Sequence, residues 1–353
     1  MSRRFASGLV VGKFCPLHRG HELLIRRALA ECARVFVLSW SRPELPGCEP
    51  ERRAAWLARR FPEATSLVLT DAALVALRPP PEWAALPAND ADPRLLRRFT
   101  AWICEAAWRV RPDAIFTSEP DGSDFADELT RWFQRQGPAR SPVVAVAVDP
   151  DRASAPISGR RVREDVHAHR AWLSPDVYRD FVRRLVLLGG ESTGKSSLAQ
   201  ALAAALDTLH VPEYGRELWL ERRGALAFPD LLHIGQQQIA REEAALGRAN
   251  RWLICDTSPL TTLFYSHHLF ARADPALEAL AARTYDLVVL CAPDFAFVQD
   301  GTRQDAAFRR HQHAWYLDQL ARRQIHFLSA AGSMDERIAT IRRAAAASAP
   351  TAT

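Results

Sequence analysis

The sequence predicts an α/β protein made of two successive domains, residues 1–182 and 183–353, each built on a parallel sheet. Three observations carry this. Short apolar runs alternate with amphipathic helical stretches along the chain, the alternation starts afresh at about Arg184, and in each half the first strand feeds a glycine-containing turn and then a helix. A length of 353 residues suits two domains.

Taken in order, Gly8–Gly12 reads as the first strand, followed by a turn containing Pro16 and a helix from His21 to about Ala33. Arg34–Trp40 is the next strand, with turn residues through Pro50 and a helix over Glu51–Arg60. Leu67–Thr70 reads as a strand and the proline-rich stretch 78–94 as a loop. Leu95–Arg109 is helical, Ala114–Ser118 a strand, Asp124–Arg135 helical and Val143–Val148 a strand. The boundary falls near Phe181–Arg184, without a flexible linker. Beyond it come strand Arg184–Leu188, turn Gly189–Ser196 and helix Ser197–Leu206, then strands at Trp252–Cys255, Leu287–Cys291 and Ile325–Leu328. The Ala/Ser/Thr tail from Ala344 is expected to fray. Alternation of this kind places ligands at the carboxyl ends of the strands.

Composition narrows the function classes. Hydrophobic residues make up 48% and charged residues 25%, which excludes a disordered or fibrous chain. No apolar run approaches the ~20 residues a bilayer requires, and no signal peptide opens the chain, so a cytoplasmic protein without membrane insertion is expected. Six scattered cysteines lack metal-ligand or disulfide-framework spacing and are read as reduced. The net charge of +5 is mild, with no block of like charge, so no nucleic-acid partner is expected. Lys13 and Lys195 are the two lysines among 46 basic residues, the rest being arginine. Arginine replaces lysine freely on a solvated surface but not where a compact ammonium is needed. Both lysines lie in motifs suited to phosphate.

The second half carries Gly189-Gly190-Glu191-Ser192-Thr193-Gly194-Lys195-Ser196, which fits G-x-x-x-x-G-K-[ST] between an apolar strand and a helix that opens at Ser197. Backbone N–H groups of such a loop wrap the phosphates of ATP, Lys195 bridges the β- and γ-phosphates, and Ser196 holds Mg²⁺. Asp256 ends an apolar strand and fits the acid that supports that metal. Glu213, after the second strand of this half, is the candidate for orienting or deprotonating an acceptor hydroxyl. Arg303 would close over the transferring phosphoryl group. The first half carries Gly12-Lys13-Phe14-Cys15-Pro16-Leu17-His18-Arg19-Gly20-His21 at a strand-to-helix turn. His18 and His21 can both reach a triphosphate, with Lys13 beside them and Gly12, Phe14 and Gly20 as nucleotide-binding positions. In Ile157-Ser158-Gly159-Arg160-Arg161-Val162-Arg163, Ser158 would cap a helix and Arg163 would hold the departing pyrophosphate, while Ser118 and Glu119 lie where adenosine is read. Plainer readings stay open: Asp256 as a turn cap, Glu213 as a surface acid, Arg303 as a solvated helix start, and the three arginines as a solvated face.

The Gly12–His21 and Ile157–Arg163 segments resemble the nucleotidyltransferase superfamily, and the second half resembles P-loop small-molecule kinases. In tandem they are similar to the NadR-type bifunctional nicotinamide-nucleotide adenylyltransferases and ribosylnicotinamide kinases, with further matches at Phe116–Glu119, Val148–Pro150, Glu213-Tyr214, Gly235-Gln236, Cys255–Thr257 and Asp300–Arg303. The resemblance implies a Rossmann-like nucleotidyltransferase fold followed by a P-loop kinase fold. It implies that the second half phosphorylates nicotinamide riboside with Mg-ATP to nicotinamide mononucleotide (NMN), and that the first half joins NMN to AMP from a second ATP, giving NAD and pyrophosphate. Small molecules are then the partners; homo-oligomerisation stays open. Two features depart from the pattern: Arg160 stands where superfamily members often carry threonine, and the first strand comes too early for the N-terminal helix-turn-helix of some members, which argues against DNA binding. Two other readings remain. One is an adenylyltransferase–kinase fusion acting on a pantetheine or flavin phosphate. The other is a nucleotide-sensing regulator with one inactive half.

Overall fold

The structure, a computed structural model, describes residues 3–135, 141–299 and 304–347. The chain divides into two compact units between Asp180 and Phe181. The first runs β1 (Phe5–Val11), α1 (Arg19–Glu31), β2 (Cys32–Ser39), α2 (Pro50–Arg60), β3 (Thr65–Val68), α3 (Asp71–Ala76), α4 (Pro93–Trp108), β4 (Ala114–Thr117), α5 (Gly122–Gln134), β5 (Val144–Ala147), α6 (Gly159–Glu164) and α7 (Pro175–Tyr178). Its sheet is parallel, in the order β3-β2-β1-β4-β5. Strand β1 is central, and at Gly8 a Cβ would stand 2.5 Å from Cys32 Sγ and 2.9 Å from the Phe116 ring, so glycine is what lets β1 lie against both neighbours. The chain moves outward from β1 to β3 and then returns to β4 on the other side. The loops after β1 and β4 therefore diverge and leave a crevice at the carboxyl ends of the strands.

Apolar clusters cover the sheet. Leu9, Ile115, Ala126, Leu129 and Phe133 form one, and Leu38, Trp40, Leu69, Leu74, Trp83, Phe99 and Ile103 form another. Burying each large side chain contributes about 1.5–3 kcal/mol.

The second unit runs β6 (Arg183–Leu188), α8 (Lys195–Ala205), β7 (Leu209–Val211), α9 (Tyr214–Glu221), α10 (Phe228–Leu246), β8 (Trp252–Asp256), α11 (Pro259–Phe270), α12 (Pro275–Leu280), β9 (Leu287–Cys291), α13 (Ala306–Arg322), β10 (Leu328–Ala330) and α14 (Met334–Ala347). The sheet is again parallel, in the order β10-β9-β6-β8-β7, with β6 central. Leu185, Leu187, Leu198, Leu202, Ile254, Val289 and Ile341 fill its core.

Several boundaries differ from the sequence reading, for local reasons. Helix α1 begins at Arg19 because His18 caps it, and β2 starts at Cys32. The third strand is Thr65–Val68, and Thr70 instead caps α3 by accepting from the Ala73 N–H. The loop 78–94 contains a short 3-10 turn at Pro81–Trp83 and delivers Trp83 and Leu86 to the core. Helix α8 starts at Lys195, two residues earlier than read. The last strand is Leu328–Ala330, with Ile325 and His326 still in the approach. Residues 344–347 continue α14 rather than fraying, and Ala345 is buried.

Candidate active sites

In the first unit, the chain leaves β1 and turns through Gly12–Gly20 into α1. His18 is the N-cap: its Nδ1 accepts from the Gly20 N–H at 3.1 Å, and its own backbone N–H donates to His21 Nδ1 at 3.4 Å. This is a capping box built from two histidines instead of a hydroxyl and a carboxylate. The rings stack with centroids 3.7 Å apart. Burial, then the nearby Arg152 and Arg163, brings the His18 pKa down to about 4, and burial together with His18 holds His21 well below its ordinary value. Both rings are neutral at pH 7, and because the Nδ1 of His18 accepts, its proton sits on Nε2. The pair can therefore donate to phosphate without carrying charge.

A cavity of about 350 Å³ opens beside the two histidines. It gathers Gly12, Lys13, His18, Gly20, His21, Ser118, Glu119, Ile157, Ser158 and Arg163, brought from the ends of β1 and β4 and from the start of α6. Ser158 caps α6 by accepting from the Arg161 N–H at 3.3 Å. Arg163 reaches across to donate to the Cys15 carbonyl. Lys13 Nζ donates to the Asn89 carbonyl at 3.2 Å, and burial, with help from Arg163, lowers its pKa. The positive charge of the cavity thus comes from Lys13 and arginines.

One sequence expectation is corrected here, and the structure places Arg160. Phe14 does not line the cavity: it is fully buried, with its ring edge-on to His21 at 5.0 Å, and so braces the histidine instead of facing a nucleotide. Arg160 lies at the rim, its side chain 88% exposed and 3.7 Å from Glu164, one turn along α6. The sequence reading missed Arg152, also on the cavity wall. Its only signal was its place in the tight turn after β5.

In the second unit, β6 runs into the loop 189–194. Gly189 has φ +145° and a Cβ there would meet Thr193 Oγ1 at 2.9 Å and the Cys291 carbonyl at 3.0 Å, while Gly194 has φ +77°. Substitution at either is strained. Lys195 Nζ donates to the carbonyls of Gly189 (2.8 Å) and Gly190 (2.9 Å), which holds it over the loop's mouth. Two buried arginines brace the loop from behind. Arg309 donates to the Phe295 carbonyl at 2.9 Å and to Ser192 at 3.3 Å, and Arg337 donates to the carbonyls of Thr193 (3.1 Å) and Ala292 (3.2 Å) and pairs with Asp294. Neither carries a local sequence signal, because both lie far downstream, on α13 and α14.

A cavity of about 420 Å³ adjoins this loop. Gly189, Glu191, Ser192, Thr193, Gly194, Lys195, Ser196 and Ser197 form one wall, and Glu213, Arg216, Trp219, Leu231, Ile234, Tyr265 and Gln312 are among the residues on the others. Gly190 is turned away from it, packed so that a Cβ would come 2.8 Å from the Arg309 carbonyl. The Glu191 carboxylate accepts from the Tyr265 hydroxyl at 2.9 Å and from the Gln304 N–H at 2.8 Å. Gln312 accepts from the Glu191 N–H at 2.7 Å and donates to the Tyr265 oxygen at 3.1 Å. Tyr265 and Gln312 were not legible as site residues. Glu213 is raised to about 7, chiefly by burial and further by Asp256, against the opposing pull of Lys195. Asp256 is 3% exposed, and its Oδ1 has no hydrogen-bond partner. Ser258, not Asp256, caps α11. A buried carboxylate oxygen without a donor suits a cation that takes its remaining ligands from water and phosphate, as Mg²⁺ does. Among the described residues no three His, Cys, Asp or Glu side chains group as a metal site by themselves. Arg303 lies outside the described residues. Among those described, no helix is long and apolar enough to cross a membrane.

Comparison with known proteins places both units. A family model described as an AAA domain matches residues 184–337. The trifunctional NAD biosynthesis/regulator protein NadR of Escherichia coli (strain K12) is 27% identical over 317 residues, covering 84% of this chain and 71% of that protein. Its counterpart from Salmonella typhimurium is 27% identical over 312 residues, with the same coverage. The crystal structures of a NadR protein in complex with NR, and with NAD and AMP-PNP, share the fold at a TM-score of 0.65; they are 18% and 16% identical and cover 96% and 97% of this chain and 95% and 96% of those chains. Sequence similarity at 27% identity over 84% of the chain and a fold shared at a TM-score of 0.65 make the chain similar to the NadR proteins.

Proposed function

We propose that this protein makes NAD in two steps, phosphorylating nicotinamide riboside to NMN in the unit from about residue 183 and adenylylating NMN in the unit before it. What carries the reading is one arrangement: two cavities, each at the carboxyl end of a central strand and each holding one of the chain's two lysines. The relatives' role in NAD biosynthesis supplies the substrates. In the kinase cavity, Glu213 accepts the proton of the riboside 5′-hydroxyl. That oxygen bonds to the γ-phosphorus of ATP as the bond to the β-phosphate oxygen breaks, releasing ADP. Lys195 and the loop N–H groups hold the phosphates, and Ser196 and Asp256 are the residues that would hold Mg²⁺, which supplies charge neutralisation when bound. Trp219 offers an aromatic face to a cationic ring. In the adenylyltransferase cavity, an NMN phosphate oxygen bonds to the α-phosphorus of a second ATP, and pyrophosphate leaves. His18 and His21 donate to the crowded α-phosphate, and Lys13, Arg163 and the Ser158 turn hold the departing phosphates. Arg303 is assigned to closing the kinase site.

A product assay tests this directly. Purified protein with Mg-ATP and nicotinamide riboside as the sole acceptor is expected to yield NMN and then NAD. Accumulation of NMN alone would overturn the adenylyltransferase half of the reading. No consumption of riboside would move both sites to another acceptor.

The Glu213 assignment predicts a pH dependence. A base must be deprotonated to act, so kcat/KM for riboside phosphorylation should fall as pH drops below about 7, the value to which Glu213 is raised. Glu213→Gln should lower kcat/KM by roughly 10²–10⁴-fold and abolish that inflection. An inflection that survives the substitution would assign the proton to another group.

A further inference from the structure

We propose that Arg152 is a mobile phosphate ligand of the adenylylation cavity, held on Glu119 in the free protein and handed to the ATP triphosphate when nucleotide enters. The inference rests on the reading of this cavity as the NMN adenylylation site. The cations on its wall differ in how they are held. Lys13 and Arg163 each donate to a backbone carbonyl, of Asn89 and Cys15, and so are fixed to the frame. Arg152 instead donates to Glu119 Oε1 at 3.1 Å, in an ion pair whose side chains are 42% and 59% exposed. Such a solvent-exposed pair is weak and breaks easily.

The backbone beneath Arg152 is better fixed than its side chain. Asp149 and Arg152 both have positive φ, +50° and +52°, the Arg152 N–H donates to the Asp149 carbonyl at 2.9 Å, and the Asp149 carboxylate accepts from the N–H groups of Ser154 and Ala155 at 2.9 and 3.0 Å. This closed turn aims a long side chain from a rigid base. The guanidinium already acts on the histidines, since its charge is among the causes that lower both His18 and His21. Joining a phosphate to a triphosphate brings anions together beside two neutral rings, and Arg152, unlike the outlying Arg160 at the rim, is a movable cation whose charge already reaches those rings. ATP carries partners for both halves of the pair: phosphates for Arg152, and ribose hydroxyls that can donate to Glu119. One ligand therefore replaces the ion pair with two separate contacts.

The test uses the full chain and inorganic tripolyphosphate, which has phosphates and no ribose, as a competitive inhibitor of NMN adenylylation. Arg152→Gln should weaken its inhibition by about tenfold, as loss of a charge-assisted hydrogen bond does. Glu119→Gln should strengthen it, because Arg152 is released. Opposite signs support the exchange. A merely structural turn predicts weakening by both variants or by neither, and either result overturns the proposal. Equilibrium dialysis of ATP separates this from the underlying reading: if the wild type makes no NAD from NMN, the adenylylation reading fails, yet Arg152→Gln should still weaken one of two ATP sites per chain. Two unchanged ATP sites would refute the exchange itself.

Discussion

Lys195→Ala is expected to lower riboside phosphorylation by about 10³-fold while NMN adenylylation continues at the wild-type rate. In the free protein the Lys195 ammonium is held by the carbonyls of Gly189 and Gly190, on the loop that forms one wall of the cavity. Its charge is thus pre-positioned for the β- and γ-phosphates, where negative charge shifts as the phosphoryl group moves. Nothing else described on that wall is an ammonium, and the other cation lining the cavity, Arg216, lies beyond Glu213 in sequence. Alanine removes the charge without disturbing Gly189 or Gly194, whose positive φ angles set the loop. Lys195→Arg should not rescue the rate. A planar fork cannot take the place of a compact ammonium between two carbonyls. Steady-state assays with riboside and with NMN as separate acceptors read the two halves. Loss of both activities in a variant that still melts cooperatively would overturn the two-site model.

The architecture was legible because it rests on periodicity: buried parallel strands such as Leu185–Leu188 are continuous apolar runs, and the helices between them repeat on a different period. Boundaries slipped where a cap was unusual. Histidine is not a common N-cap, so His18 was read as lying before the helix that it starts. Thr70 was read as the end of a strand because a β-branched residue suits both a strand and a cap. The loops after β1 and β6 were legible as cavity walls for a different reason, since each gathers its glycines, lysine and polar side chains in one short segment. What stayed hidden was held from a distance. Arg309 and Arg337 fix the loop from α13 and α14, and Tyr265 and Gln312 bind Glu191 from α11 and α13. Nothing local marks such residues; only the topology that puts β6 between β8 and β9 brings them together. Phe14 shows the converse error. A residue inside a binding motif can serve the motif by packing under it, and its zero exposure is what separates that role from contact with a nucleotide.

The histidine pair yields the second large effect. His21→Ala should reduce NMN adenylylation by roughly 10²–10³-fold and leave riboside phosphorylation intact. Part of that loss is chemical: one donor to the α-phosphate disappears. Part is architectural, because His21 Nδ1 accepts the His18 N–H and the His21 ring lies between His18 and Phe14. His21→Asn keeps an acceptor for that N–H and separates the two, since a structural role is rescued by it and a transition-state role is not. The pH profile gives an independent reading. With His18 brought down to about 4, mainly by burial, kcat/KM for adenylylation should stay level from pH 8 down to about 5 and fall only nearer 4. There, protonation of Nδ1 removes the acceptor that caps Gly20. If catalysis instead needed a charged ring in the free enzyme, kcat/KM would rise as pH fell through the ordinary histidine range. Stability follows the same sign. Both rings are neutral in the fold and protonate more readily when unfolded, so the unfolded chain binds more protons below about pH 6.5 and the first unit should lose stability progressively toward pH 4. His18→Asn should flatten that acid loss, and a melting temperature with the same pH dependence in this variant would show that the stacked histidines are not its source.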